Sequence, residues 1–103
     1  MRREVSVAVP ELMFAEIGSA LGVYVRDSTL TLDGALRRIG LVRRIPLEIR
    51  DLQVLAEPAV GFAISQGLSV YDACYAVLAE AEDAVLVTAD RRLAAAATRA
   101  ELV

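Results

Sequence analysis

The sequence predicts an α/β fold in which a short parallel sheet is covered by helices. Three observations lead there. Two short runs, Val5–Val9 and Ala84–Thr88, are aliphatic or β-branched, and each is followed directly by a helix-forming stretch. Strand and helix patterns alternate along the chain, the order expected of parallel strands joined by crossover helices. Ala84–Thr88 is apolar throughout, the pattern of a strand covered on both faces.

Taken in order, Val5–Val9 is a strand stopped by Pro10, and Pro10-Glu11 opens a helix, proline suiting a first turn and an acid its dipole. That helix runs to about Tyr24, with Leu12, Met13, Ile17, Ala20, Leu21 and Tyr24 at helical spacing. Asp27-Ser28 is a break. A second helix covers Thr31 to about Val42 on an apolar face of Leu32, Ala35, Leu36 and Ile39. Ile45–Ile49 is a short strand. A third helix covers Asp51–Ser65, with a break or kink at Pro58, and Gly67 ends it. A fourth covers Ser69–Glu82, and a last one runs from Asp90 to about Arg99 through the alanines at 94 to 97. Without linker, repeat or low-complexity segment, the expectation is one domain over 1–103.

Composition narrows the chemistry. Of 103 residues 56% are hydrophobic, only 5% aromatic, and the mean hydropathy is +0.50. Disordered chains are poorer in apolar residues. The longest uncharged stretch, Pro58–Tyr71, is too short and too polar for a membrane helix, and no secretory signal fits the start. The expected location is cytoplasmic. Net charge is −3, so nucleic acid would have to be met by a local patch. All 11 basic residues are arginine. One cysteine, Cys74, excludes an internal disulfide, and the absence of histidine excludes Ser-His-Asp, Cys-His and histidine–metal chemistry. Any catalysis falls to carboxylates, hydroxyls, arginines or an oxygen-bound metal.

Three acids stand in unusual places. Glu16 lies between Leu12, Met13 and Ala20 on the helical wheel, at the edge of the apolar face. Its alternative is a surface glutamate. Asp72 follows Ser69 in a capping-box pattern, yet the helix it opens is apolar nearly all round and therefore buried. Asp90 follows the strand Ala84–Thr88. It has the position of an N-cap and also of a ligand-binding residue at the carboxyl end of a parallel strand, with the Thr88 hydroxyl nearby. Helices that follow parallel strands start at one sheet edge, so the three carboxylates can converge. Clustered carboxylates repel unless a cation joins them, and oxygen donors suit Mg²⁺ or Mn²⁺. The expected separation is roughly 4 to 8 Å, enough to share a hydrated divalent ion.

The stretch from Gly67 through Asp72 to Ala81, followed by Val85-Leu-Val-Thr-Ala-Asp-Arg-Arg-Leu93, closely resembles the C-terminal half of PIN-domain proteins. Within that family it is most similar to the VapC toxins of VapBC toxin–antitoxin pairs. Val9–Leu21 resembles the family's second-acid helix, and the similarity extends from about Val5 to Ala97. The resemblance implies a PIN-like three-layer α/β/α fold and a metal-dependent endoribonuclease. Glu16, Asp72 and Asp90 would be the catalytic and metal-binding acids, with Mg²⁺ or Mn²⁺ as cofactor. Thr88 and Ser69 would support them, Arg91 and Arg92 would contact RNA phosphate, and a VapB-like antitoxin would be the partner. The alternative is a catalytically incompetent PIN-like module that acts by dimerisation or by holding such a partner.

Family members also carry a first, central strand with an Asp, of the form Val-Asp-Ala-Ser, before the segment matching Val5–Val9. This sequence has no counterpart, so its sheet is expected to lack that strand and possibly the last edge strand. Val5–Val9 and Ala84–Thr88 are then expected to close up and pair directly, bringing Glu16 nearer Asp90; the alternative is that a strand from another copy fills the space. The apolar strand faces and unpaired edges left by the missing strand, with the mean hydropathy of +0.50, predict a homodimer or larger oligomer with helix faces from the Thr31–Val42 and Asp51–Ser65 regions in its interface.

Overall fold

The computed structural model describes residues 6–103, so Val5, where the first strand was expected to begin, lies outside the described residues. Strand β1 (Ala8–Pro10) pairs in parallel with β2 (Glu48–Arg50), Ala8 opposite Glu48 and Pro10 opposite Arg50. Pro10 thus ends the strand instead of opening the helix. The Val7 carbonyl accepts from the Glu48 amide and the Glu11 amide donates to the Arg50 carbonyl. Alternation therefore turns the groups of Val7, Val9 and Glu11 toward β2, and proline's missing N–H falls on the opposite edge, where it costs no ladder bond. Helix α1 (Met13–Arg26) starts only after that bond and ends at Asp27.

Helix α2 (Leu32–Val42) is capped by the Thr31 hydroxyl, which accepts from the Gly34 amide at 3.0 Å. Helix α3 (Leu52–Gln66) is capped by Asp51 and closed by Gly67 in the left-handed region at φ 66°. It runs through Pro58 without the expected break. The carbonyl deprived of its donor belongs to Val54, on the exposed side of the helix, where water can replace the lost bond.

Helix α4 (Val70–Ala81) organises the core, with Ala73, Cys74, Ala76, Val77, Leu78 and Ala79 buried. One of its sides packs on Leu55, Ala59 and Ala63 of α3, where small side chains let the two backbones approach closely. Its other side packs, through Ala76 and Ala79, on Leu86 and Leu93. Strand β3 (Leu86–Thr88) leads through α5 (Arg91–Ala96) to β4 (Ala100–Leu102), and the two strands pair in parallel with Leu86 opposite Ala100.

Three expectations are corrected here. The last edge strand, whose presence the sequence left open, is present as β4, and α5 stops at Ala96, short of the expected Arg99, because Ala97 turns extended (ψ 152°). The Arg99 guanidinium then donates to the Asp83 carbonyl at 2.5 Å and to its carboxylate at 2.7 Å. The segment before β3 and β3 itself are covered on one face only: Leu86 is 6% exposed, but Val85 and Val87 are 49% and 60% exposed. Finally, β1 and β3 do not pair. The described strands form two separate two-stranded sheets, β1–β2 and β3–β4, with a cleft of about 480 Å³ between them. The cause lies in α4. Ala8 of β1 docks on the cluster containing Cys74 and Leu78, and Leu86 of β3 docks on the cluster of Ala76 and Ala79. The helix holds the two strands apart.

The α1–α2 hairpin stands off this core. No residue of α1 is buried, and only Gly34 and Ala35 of α2 are. The radius of gyration, 15.1 Å, exceeds the ~13 Å of a compact domain of about 100 residues. Among the described residues no helix is long and apolar enough to cross a membrane.

Candidate active site

Glu16, Asp72, Thr88 and Asp90 line one cavity of about 360 Å³, with Tyr75 beside them and Met13, Ile17, Leu86 and Leu93 among its apolar walls. The local chain explains each placement. Glu16 sits in the first turn of α1, just beyond the carboxyl end of β1. Asp72 sits in the first turn of α4, where the Ser69 hydroxyl accepts from its amide at 3.1 Å. Asp90 follows β3 and caps α5. Its Oδ1 accepts from the amides of Arg92 at 2.9 Å and Leu93 at 3.2 Å, while the Thr88 hydroxyl accepts from its own amide at 3.0 Å. For Asp90, capping and cavity lining coexist: one carboxylate oxygen serves the helix.

Tyr75 is the residue that sequence reasoning missed. By pattern it belongs to the nearly all-apolar circumference of α4, but its hydroxyl donates to Glu16 Oε1 at 2.5 Å. The signal was available, since Tyr75 lies three residues after Asp72 and hence on the same side of the helix. Burial, with Glu16 beside it, pushes the phenol well above its ordinary range, so it stays protonated and donates. Burial likewise raises the Cys74 thiol. Of the two arginines expected at phosphate, Arg92 donates to the Gly67 carbonyl at 2.6 Å, at the C-terminal end of α3. Arg91 is exposed at the start of α5.

The chain is similar to curated proteins of known kind. The VapC ribonuclease of Mycobacterium bovis and the ribonuclease VapC9 of Mycobacterium tuberculosis are each 41% identical to it, over 82% of this chain and 65% of theirs. A solved structure, PAE2754 from Pyrobaculum aerophilum, superposes with a TM-score of 0.80 at 31% identity, covering 93% of this chain and 70% of the other. The chain belongs to the VapC-like PIN-domain family. No protein-family model matches it. It spans 65% of the length of the curated relatives, and its architecture is the PIN-like α/β/α arrangement.

Membership of this VapC-like family implies a divalent cation. The donors suit one in kind: hard carboxylate oxygens around a single partly polar cavity. They do not form a closed cage, because among the described residues no three Asp, Glu or Cys side chains are gathered into a metal-holding group. Mg²⁺ keeps several waters and is usually held by one or two carboxylates, so a hydrated ion matches this looser arrangement.

Proposed function

We propose that this VapC-like PIN domain acts as a metal-dependent endoribonuclease that hydrolyses RNA phosphodiester bonds at the cavity between α1, α4 and α5. The supporting observation is that Glu16, Asp72 and Asp90, from three separate parts of the chain, line one cavity together with Thr88. Glu16, Asp72 and Asp90 would hold a hydrated Mg²⁺ or Mn²⁺, in part through its waters. When bound, such an ion supplies positive charge beside the scissile phosphate and makes an attacking water more acidic. The protein's own contribution is positional. Tyr75 fixes Glu16 by donating to it, and Thr88 fixes the backbone at Asp90. Ser69 anchors the turn that presents Asp72. Arg91 is exposed to meet RNA phosphate, with Arg92 behind it restrained by Gly67. The reading includes a cytoplasmic location, a VapB-like antitoxin as partner, and a homodimer built on the exposed apolar residues of α2 and α3, among them Leu36 and Val60.

The test is cleavage of a fluorescent single-stranded RNA with Mg²⁺ or Mn²⁺, with chelator, and with Asp90→Asn. Cleavage that needs the ion and Asp90 supports the proposal. Cleavage insensitive to both overturns it. Absence of cleavage in a folded protein with either ion present favours the incompetent module that works by binding.

A further inference from the structure

Charge is spread unevenly along the chain. Between Thr31 and Leu47 stand four arginines, Arg37, Arg38, Arg43 and Arg44, and a single acid, Asp33. Over the rest of the chain thirteen acids outnumber seven arginines. An acidic molecule thus carries one basic region, helix α2 and the turn that follows it. Helical hydrogen bonding continues past Val42: the Arg44 amide donates to the Leu41 carbonyl and the Ile45 amide to the Val42 carbonyl. Arg37, Leu41 and Arg44 therefore follow one another at helical spacing, with Arg38 beside them. Ala35, Leu36 and Ile39 line the groove against α1, so this row lies on the side of α2 turned away from α1.

All four arginines are exposed. Elsewhere arginines are engaged: Arg50 pairs with Glu82 and Glu48, Arg99 with Asp83, and Arg92 is held by the Gly67 carbonyl. Among the described residues none of the four on α2 and its turn meets an acid. Arg38 alone uses its guanidinium, on the Gly34 carbonyl of its own helix at 3.1 Å. The helix dipole accounts for cations at the C-terminal end, Arg43 and Arg44. It does not account for Arg37 and Arg38 in the middle of the helix.

We propose that this row is a phosphate-binding surface, which holds an RNA strand outside the acid cavity by its backbone and without regard to base sequence. The choice of RNA rests on the ribonuclease reading. Three carboxylates around the cavity repel a polyanion before any cation enters, and the acidic remainder of the chain adds to that repulsion. Attraction must come from unpaired positive charge, and α2 is where it is concentrated. The placement suits the task. Glu16, Ile17 and Ala20 of α1 line the acid cavity, while Gly18, Leu21 and Gly22 line the groove against α2. A strand laid across α1 meets both. Guanidinium forks match phosphate oxygens in pairs, and a nucleic-acid backbone repeats its phosphate at every nucleotide, so a row of arginines is met in any register. No aromatic residue occurs between Thr31 and Leu47, which leaves no platform for stacking bases and so no reading of sequence.

The measurement is the anisotropy of a fluorescein-labelled oligouridylate titrated with the full chain in chelator, between about 50 and 200 mM salt. Each phosphate contact to a single strand contributes about −0.7 to the slope of log K against log salt concentration, so Arg37, Arg38 and Arg44 together predict a slope of about −2. Arg37→Gln combined with Arg44→Gln removes two contacts and should make the slope less steep by about 1.4. Neither side chain has an ion-pair partner among the described residues, so the unfolding temperature should not change. An oligocytidylate should give the same slope. The proposal is overturned by no binding to the parent, by a slope that the double substitution leaves unchanged, or by an oligoglutamate of equal charge that binds as tightly as the RNA. The last would make an acidic polypeptide the partner. Cleavage does not enter the measurement. A chain that binds RNA through this row and cuts none keeps the surface and loses only the ribonuclease reading. One that cuts RNA, and binds it equally well with the row neutralised, keeps that reading and loses the surface.

Discussion

Asp90 carries two roles, and a pair of substitutions separates them. Its Oδ1 accepts from the amides of Arg92 and Leu93 at 2.9 and 3.2 Å. Asparagine presents an equivalent oxygen and caps helices about as well as aspartate, whereas alanine at an N-cap costs about 1 kcal/mol, with a range of roughly 0.5–2. Helix α5 has six residues and joins β3 to β4, so a frayed first turn loosens the sheet as well. For a domain of this size about 1 kcal/mol corresponds to roughly 4–8 °C in Tm. Asp90→Ala should fall by that amount. Asp90→Asn loses an interaction with the helix dipole of about 0.3–1 kcal/mol. It also removes one of three like charges around a single cavity, which offsets part of that loss in metal-free buffer. Its Tm should stay within about 2 °C of the parent. RNA cleavage should behave differently, falling by about 10²-fold or more in both variants, the scale of losing one charge-stabilising group. Thermal melts in chelator and initial cleavage rates with Mg²⁺ are the two assays. Equal destabilisation by Asn and Ala would refute the hydrogen-bond account of the cap. Full cleavage by Asp90→Asn would refute the assignment of Asp90 to the site.

Tyr75→Phe keeps the ring on α4 but removes the donor to Glu16, so it should lower stability by about 1 kcal/mol and raise the Mg²⁺ concentration needed for half-maximal cleavage; an unchanged Mg²⁺ response would show that holding Glu16 does not matter. Leu78→Ala empties a buried position between α4 and its neighbours and should cost about 2–5 kcal/mol in urea unfolding. The Asp27 carboxylate is held below its ordinary value by hydrogen bonds from Thr29, so its stabilising contribution is present above pH 3.8 and is lost as the pH falls through the lowered value. An NMR titration placing that carboxyl at or above 3.8 would contradict this. The exposed apolar residues of α2 and α3 should hold two copies together at micromolar concentration, with Leu36→Glu producing monomers by light scattering; a monomeric parent would remove the argument.

Much of the local structure was legible because it rests on short-range chemistry. Thr31, Asp51, Ser69 and Asp90 each cap the helix they precede, as side chains that compete for the first free amides must. Helix α4 is buried because it has almost no polar face. The errors came where a residue's partner is distant. Pro10 ends a strand because β2, some 40 residues later, decides which edge carries its missing donor. Strand β4 was unreadable in Ala100–Leu102 because three residues carry no period, and it exists only through its register with β3.

The sequence by itself determined the helices, their caps, the α/β class and the three acids as candidates, since each depends on neighbours within a turn or a strand. The tertiary structure alone decided which of these meet. It brought Glu16, Asp72 and Asp90 around one cavity and placed the Tyr75 hydroxyl on Glu16 across 59 positions of chain. It also kept β1 and β3 apart. The two strands looked adjacent in pattern, but each docks on its own side of α4, and a helix close-packed on both sides cannot turn to let them meet.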